Sequence, residues 1–381
     1  MIYLDNAATT PVIETVKSVV DSCMDFYGNP SSAHLAGKDA RNFIDSAKCR
    51  VMNLLGAKSG DIIFTSGGTE SNNLALLGVA DYLHANGETT IITSCIEHPS
   101  VLESCKELEK RGFNVVAMLV DEDGRVDIEV LDKTMADYRD NLGLVSIQTV
   151  NSEIGATQCI EDIGFLCREY GALFHTDAVQ AVSCMQIDVE KCNIDMLSLS
   201  GHKIHTPKGI GALYVRDKSI LSPIMYGGGQ QHGLRSGTEN TLGINALNAA
   251  AFYFDFEGQE IRDIVRYLRG CLVNGLKQKM TVPYYINGVG GSDNIVSLTI
   301  PKVEGNSLML MLNEAGVCVS TGSACSSNKL ESSYVLKAIG LEDKDAICTI
   351  RISLSHLNTE DEIDKATSLI SELSQQLYEL V

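Results

Sequence analysis

The chain has 381 residues, 44% of them hydrophobic, and a formal charge of −19 at neutral pH. That length and apolar content support a large core divided over two or three domains, and they exclude a disordered or fibrous protein. So acidic a chain is a poor partner for nucleic acid, whose non-specific binding needs clustered Lys and Arg, and no apolar run reaches the ~18 residues that suggest a membrane span.

The start, MIYLDNAATT, lacks the basic-then-apolar pattern of a secretory leader, so a cytoplasmic protein is expected. Twelve cysteines are scattered without a Cys-x-x-Cys pair. They suggest no metal site and read mostly as reduced core residues. From about residue 60 to 216, short β-branched runs alternate with longer helical ones, the pattern of a parallel sheet with helices on its faces. DIIFTS (61–66), TIITS (90–94), FNVVAMLV (113–120), LVSIQTV (144–150), ALFHTD (172–177), DMLSLS (195–200) and GALYV (211–215) read as strands. The segments 71–87, 101–112 and 160–171 read as helices, each ending near a glycine that suits a left-handed cap. A helical stretch follows at 241–256. Then come NIVSLTI (294–300), the helical 304–316, ICTIRISLS (347–355) and an amphipathic helix from about Glu360. The division expected is a large domain, 13–254, and a smaller α+β domain, 255–381 joined by 1–12.

In such sheets ligands gather at the carboxyl ends of the strands. Gly67, Gly68 and Thr69 follow the first strand of the series and open a helix, a cradle for an anion, although most Gly-Gly turns bind nothing. His98 follows the second; a solitary histidine there is more often structural. Asn151, Ser152 and Glu153 follow the fourth, Asp177 and Gln180 the fifth, and Ser200, His202 and Lys203 the sixth. A carboxylate at one strand end, a lysine at the next and a phosphate cradle upstream are the parts that pyridoxal 5′-phosphate requires. The lysine holds the aldehyde and the carboxylate keeps the pyridine nitrogen protonated. Ser200, His202 and Thr69 are candidates for the phosphate, and His98 for stacking on the ring. The plain alternative makes Lys203 a surface lysine and Asp177 a helix cap.

Cys325 stands in STGSACSSNK (320–329), a run of small polar residues ahead of a helical pattern carrying Leu330, Tyr334, Leu336 and Ile339. A mobile loop is expected there, which exposes the thiol and favours its thiolate. Cys318, in the apolar AGVCVS, reads as buried strand.

Taken in order, YLDNAATTP, YGNPSSAHLAGKDAR, FTSGGTESNN, EHPSVLE, HTDAVQ, SGHKIHTPKGIGALYV, GLRSGTEN, STGSACSS and IRISLS resemble the cysteine desulfurases of the NifS/IscS-like group, class V pyridoxal-phosphate enzymes. The resemblance runs over nearly the whole chain. It implies the fold-type I architecture, α/β with a mainly parallel central sheet plus a smaller α+β domain. By position it implies that Lys203 carries the cofactor, Asp177 pairs with the ring nitrogen, Gln180 bonds the ring hydroxyl, and His98 stacks and helps move protons. Gly68, Thr69, Ser200 and His202 would form the phosphate site, joined by Thr238 of a neighbouring subunit, so a homodimer is implied. Asn151 and Arg351 would bind the substrate, Arg351 through its carboxylate, and Ser152 would touch the cofactor. Cys325 would take sulfur from L-cysteine as a persulfide, release L-alanine, and pass the sulfur to an acceptor protein such as an iron-sulfur scaffold. Three residues depart from the pattern: Ser152 and His232 stand where asparagine and arginine are common, and Thr206 where glycine is. A selenocysteine lyase, an aminotransferase of the same fold, or a catalytically weak scaffold protein are the rival readings; the thiol segment opposes the aminotransferase, and intact Lys203, Asp177 and Cys325 oppose the scaffold.

Overall fold

The computed structural model describes residues 1–322 and 332–380. The chain opens with a short strand, β1 (Ile2–Tyr3). A seven-stranded sheet follows: β2 (Asp61–Thr65), β3 (Thr90–Ser94), β4 (Asn114–Met118), β5 (Leu142–Ser146), β6 (Leu173–Asp177), β7 (Met196–Ser200) and β8 (Gly211–Val215). The spatial order is β2-β8-β7-β6-β5-β3-β4. All neighbours are parallel except β8, which runs antiparallel to both β2 and β7. The sheet is mainly parallel, as the resemblance implies, and only the strand at 211–215 departs from the parallel pattern.

Side chains alternate across the sheet, as a pleat buried on both faces requires. Ile62, Phe64, Ile92, Val145 and Ala212 enter one core, while Ile63, Ile91, Leu144 and Leu213 enter the other. Strand β5 starts two residues earlier than its apolar run suggests, because Gly143 lies inside it. A Cβ at Gly143 would meet Leu83 at 2.8 Å, so a close approach, not a turn, explains the glycine. The single helix expected over 71–87 is two, Gly68–Gly78 and Ala80–Ala85. The Gly78 carbonyl accepts the Ser222 N–H at 2.8 Å, a bond from outside the helix at the place where the ladder opens.

The remaining strands are β9 (Tyr285–Asn287), β10 (Ile295–Thr299), β11 (Val317–Cys318) and β12 (Thr349–Ser353). An antiparallel sheet β12-β10-β9 and a parallel pair β1-β11 make up this second unit. The helix Thr241–Lys279, 39 residues long, spans both cores, so the division expected at residue 255 falls inside a continuous helix. Its Ile244, Leu247, Phe254 and Ile261 pack under the large sheet, and its Val265, Leu268, Leu272 and Leu276 pack with Val296, Leu298, Ile350 and Ile352. The helix that follows the thiol segment is short, Tyr334–Ala338, capped by the Ser333 hydroxyl.

Among the described residues the cysteines are free, and only Cys23, Cys105, Cys167, Cys192 and Cys348 are buried, while Cys49 and Cys159 are exposed. Cys95, Cys184 and Cys271 are partly buried and pack against the cores, so the reading of most cysteines as core residues fails plainly only at the two exposed thiols. Cys318 is in a strand but only partly buried, because the pair β1-β11 has two residues per strand and covers it incompletely. Cys325 lies outside the described residues. No helix among the described residues is long and apolar enough to cross a membrane.

Leu272 is fully buried where the long helix meets the second core. Leu272→Ala should lower unfolding free energy by about 2–5 kcal/mol, measured by urea denaturation.

Candidate active site

Because β2 and β7 are both antiparallel to β8, they point the same way, and their ends join those of β3, β5 and β6 on one edge of the sheet. Gly211, at the start of β8, lies opposite Thr65 on one side and Ser200 on the other. A Cβ on Gly211 would sit 2.6 Å from the Gly67 Cα. The bare glycine thus lets the β2 turn close over the end of β7.

The helix Gly68–Gly78 begins in this gap, with free amides at its first turn. A Cβ at Gly67 would stand 3.7 Å from the Ser200 Oγ, and one at Gly68 would strike Val179 at 2.6 Å. The Ser200 hydroxyl is buried and has no hydrogen-bond partner among the described residues. A buried hydroxyl aimed at a glycine-lined helix N-terminus fits a phosphate. Thr69 is exposed at the same turn. Glu70, one residue on, accepts from the Ser66 N–H at 2.8 Å and from Arg235 Nε at 2.8 Å, pinning the Arg235–Thr238 loop to the cradle. Thr238 itself is exposed. His202 is kept neutral near pH 7: burial first, then Lys203 and Lys208, lower its pKa to about 4. Its Nδ1 lies 3.2 Å from the Thr9 Oγ1.

Asp177 ends β6. Its Oδ1 accepts from the Val179 N–H at 2.9 Å and its Oδ2 from Asn72 Nδ2 at 2.7 Å. Asn72 Nδ2 also donates to the Ser100 Oγ at 2.9 Å, and that hydroxyl lies 2.8 Å from His98 Nδ1. A continuous chain therefore runs Asp177, Asn72, Ser100, His98. The Ser100 backbone N–H donates to the same His98 Nδ1 at 3.1 Å, so the ring proton belongs on Nε2. Burial, with a smaller push from Lys203 and against the pull of Asp177, lowers the His98 pKa. Asn72 and Ser100 escaped the sequence reading; their signal was only their place in the first residues of the helices that open at the GGTESNN and HPS motifs.

Lys203 lies in a single 3-10 turn, Gly201–Lys203. Its Nζ donates to the main-chain carbonyls of Ala7 and Ala8, the latter at 2.8 Å. Gln180 Nε2 also donates to the Ala7 carbonyl, at 2.9 Å. The N-terminal segment thus passes directly beside the lysine. Thr206 is buried against Gly201, where a Cβ would come 2.2 Å from the Thr206 Oγ1, and its hydroxyl is bonded to the Pro207 carbonyl. His232 is far more exposed, 3.1 Å from Asp61 Oδ2.

Asn151 is committed to its turn: Oδ1 accepts the N–H groups of Glu153 and Ile154, and Nδ2 donates to the Ile96 carbonyl. The Ser152 carbonyl accepts from Arg351 Nη1 at 2.8 Å, which brings the small sheet to this edge. Glu153 is buried, its pKa raised to about 7 by burial, and accepts from the Ser333 hydroxyl at 2.5 Å. Glu97, beside His98, is wholly buried and its pKa is pushed up to about 8 by burial, which outweighs the hydrogen bonds from Ser94 and Gln148.

The class-V aminotransferase family matches residues 2–366. The chain belongs to that family. Its relatives include the proteins named cysteine desulfurase IscS of Methanosarcina thermophila, 41% identical over 99% of this chain and 92% of the relative, and of Shewanella baltica, 44% identical over 100% and 94%. A solved structure described as a NifS-like protein superposes with a TM-score of 0.90 at 36% identity, covering 98% of this chain and 99% of that one. Another, described as SspA in complex with cysteine, gives 0.81 at 36% identity over 94% and 100%. Family membership carries dependence on pyridoxal phosphate, and the fold is the fold-type I architecture.

Two outcomes follow from this class-V site. Gly211→Ala should separate Gly67 from Ser200, cost about 1–3 kcal/mol in stability and weaken retention of pyridoxal phosphate on dialysis. The raised pKa of Glu97 gives a stability contribution that is complete below about pH 4.5 and is lost as pH rises through about 8. Melting temperature followed across that window should fall less in Glu97→Gln than in the wild type.

Proposed function

We propose that the protein is a cysteine desulfurase, converting L-cysteine to L-alanine and moving the sulfur to Cys325 as a persulfide for an acceptor protein such as an iron-sulfur cluster scaffold. The observation that carries this reading is the single sheet edge on which Lys203, Asp177, His98 and the orphaned Ser200 hydroxyl stand together, in a chain whose family works with pyridoxal phosphate. The names of the full-length relatives support the choice of cysteine as substrate.

When bound, pyridoxal 5′-phosphate supplies an aldehyde that condenses with amines and a ring that takes up electrons from the substrate α-carbon. Lys203 would hold the aldehyde and, once released, move the proton at the α-carbon. Asp177 would hold the ring nitrogen protonated, and the Asn72 bond fixes its carboxylate for that task. Gln180 would meet the ring hydroxyl. Ser152 would lie beside the ring, with Asn151 setting the turn that places it. His98, neutral and proton-bearing at Nε2, would stack on the ring and exchange protons with the substrate. Gly68, Thr69, Ser200 and His202 would hold the phosphate. Thr238, exposed beside the pinned loop, would reach the phosphate of a second copy, so the protein acts as a homodimer.

Arg351 would grip the substrate carboxylate through paired N–H groups. At Cys325 the thiolate attacks the substrate sulfur: an S–S bond forms as the Cβ–S bond breaks, and the carbon takes up a proton to leave as alanine. Atoms and electrons balance without an outside oxidant. Free thiols throughout the described residues suit a reducing, cytoplasmic setting.

Lys203→Ala should abolish the visible absorption of lysine-held pyridoxal phosphate, and a wild type that stays colourless after adding the cofactor would sink the reading. Cys325→Ala should keep the cofactor and its spectral response to L-cysteine yet form no persulfide and lose about a hundredfold or more of alanine production. Cys318→Ala, in β11, should keep most activity. Alanine release at the wild-type rate from Cys325→Ala would move the acceptor thiol elsewhere.

A further inference from the structure

Arg351 is nearly enclosed, its side chain 7% exposed. Nη1 donates to the Ser152 carbonyl at 2.8 Å, and Nη2 donates to the Asp5 Oδ1 at 2.9 Å. Nε is buried with no acceptor among the described residues. A guanidinium grips a carboxylate through two neighbouring N–H groups, and here both terminal nitrogens already hold an acceptor. A carboxylate that takes the Nη2 position held by the Asp5 side chain displaces it.

The two acceptors differ in their freedom to leave. Ser152 offers a main-chain oxygen, in a turn that the Asn151 side chain locks at both ends. Asp5 offers a side chain that is 22% exposed, so one rotation carries it toward water. Its backbone stays behind, because the Asp5 carbonyl takes the Tyr3 hydroxyl and the Ala8 N–H.

We propose that Asp5 stands in for the substrate carboxylate on Arg351 and competes with it, making Asp5 a positioning residue that sets specificity for carboxylate-bearing amines. This rests on the reading of Arg351 as the carboxylate grip. The exchange replaces one carboxylate by another, so the enclosed guanidinium is never left without a counter-charge, which would be strongly unfavourable. An amine without a carboxylate cannot make the exchange and gains nothing from Arg351. The return of Asp5 also helps displace the carboxylate of the product.

The test is calorimetric binding of L-alanine to the cofactor-loaded protein, with cysteamine as the amine that lacks a carboxylate. Asp5→Asn should bind L-alanine about three- to tenfold more tightly and lower KM for L-cysteine by a similar factor, with cysteamine affinity unmoved. Asp5→Ser, a smaller side chain, should shift both in the same direction and serves if the first variant folds poorly. L-alanine affinity that is unchanged or weaker in both variants would overturn the competition. Arg351→Lys isolates the parent reading: if it leaves L-alanine affinity and KM intact, the carboxylate does not sit on Arg351, and that reading fails whatever Asp5 does.

Discussion

The absence of a side chain at Gly211 is the constraint on which the site depends. This residue lies between Thr65 and Ser200 across two antiparallel pairings, and any Cβ there would collide with Gly67. Close packing leaves no slack for even one methyl group. Only with that position bare can the β2 turn lie over the end of β7, bringing the first amides of the helix Gly68–Gly78 toward the Ser200 hydroxyl. The reversed direction of β8 has the same consequence at larger scale, since it turns β2 the same way as the five mutually parallel strands and gathers six strand ends on one edge.

A second dependence runs through the N-terminal segment. Residues 5–10 cross from the small sheet to the large one, tied at Ala7 to the Ser353 hydroxyl and to Gln180, at Thr10 to the His202 carbonyl, and at Asp5 to Arg351. Lys203 is held against the same segment. The strap therefore links the small sheet to the lysine by direct hydrogen bonds. The long helix Thr241–Lys279 supplies the apolar counterpart, one rigid element packed into both cores.

The chain of bonds from Asp177 through Asn72 and Ser100 to His98 explains how a carboxylate at the end of β6 and an imidazole in the turn after β3 are kept in register. An amide with two N–H donors can satisfy a carboxylate and a hydroxyl at once. The backbone N–H of Ser100 then settles the imidazole tautomer. Asp177 is thereby oriented from one side while its other oxygen caps the turn to Val179. A network of this kind fixes geometry more firmly than any single bond within it.

Much of the architecture was legible from alternation and punctuation alone. Strands buried on both faces leave continuous β-branched runs, and the expected runs at 61–66, 90–94, 113–120, 172–177, 195–200 and 211–215 each contain a strand. The polar residues after them pointed to the ligand-binding edge, and the order of motifs identified the family. Other features depended on contacts distant in sequence. The direction of β8, the continuation of the helix past residue 256, the break at Gly78 and the strand around Gly143 each turn on a partner remote in the chain, which local periodicity does not encode. The same holds for Asn72, Ser100 and Asp5, whose residue types are ordinary in turns and helices. Local pattern named most of the elements and the chemical groups on offer; which of those groups meet came from packing between distant segments, because hydrogen-bond partners and steric gaps exist only in three dimensions.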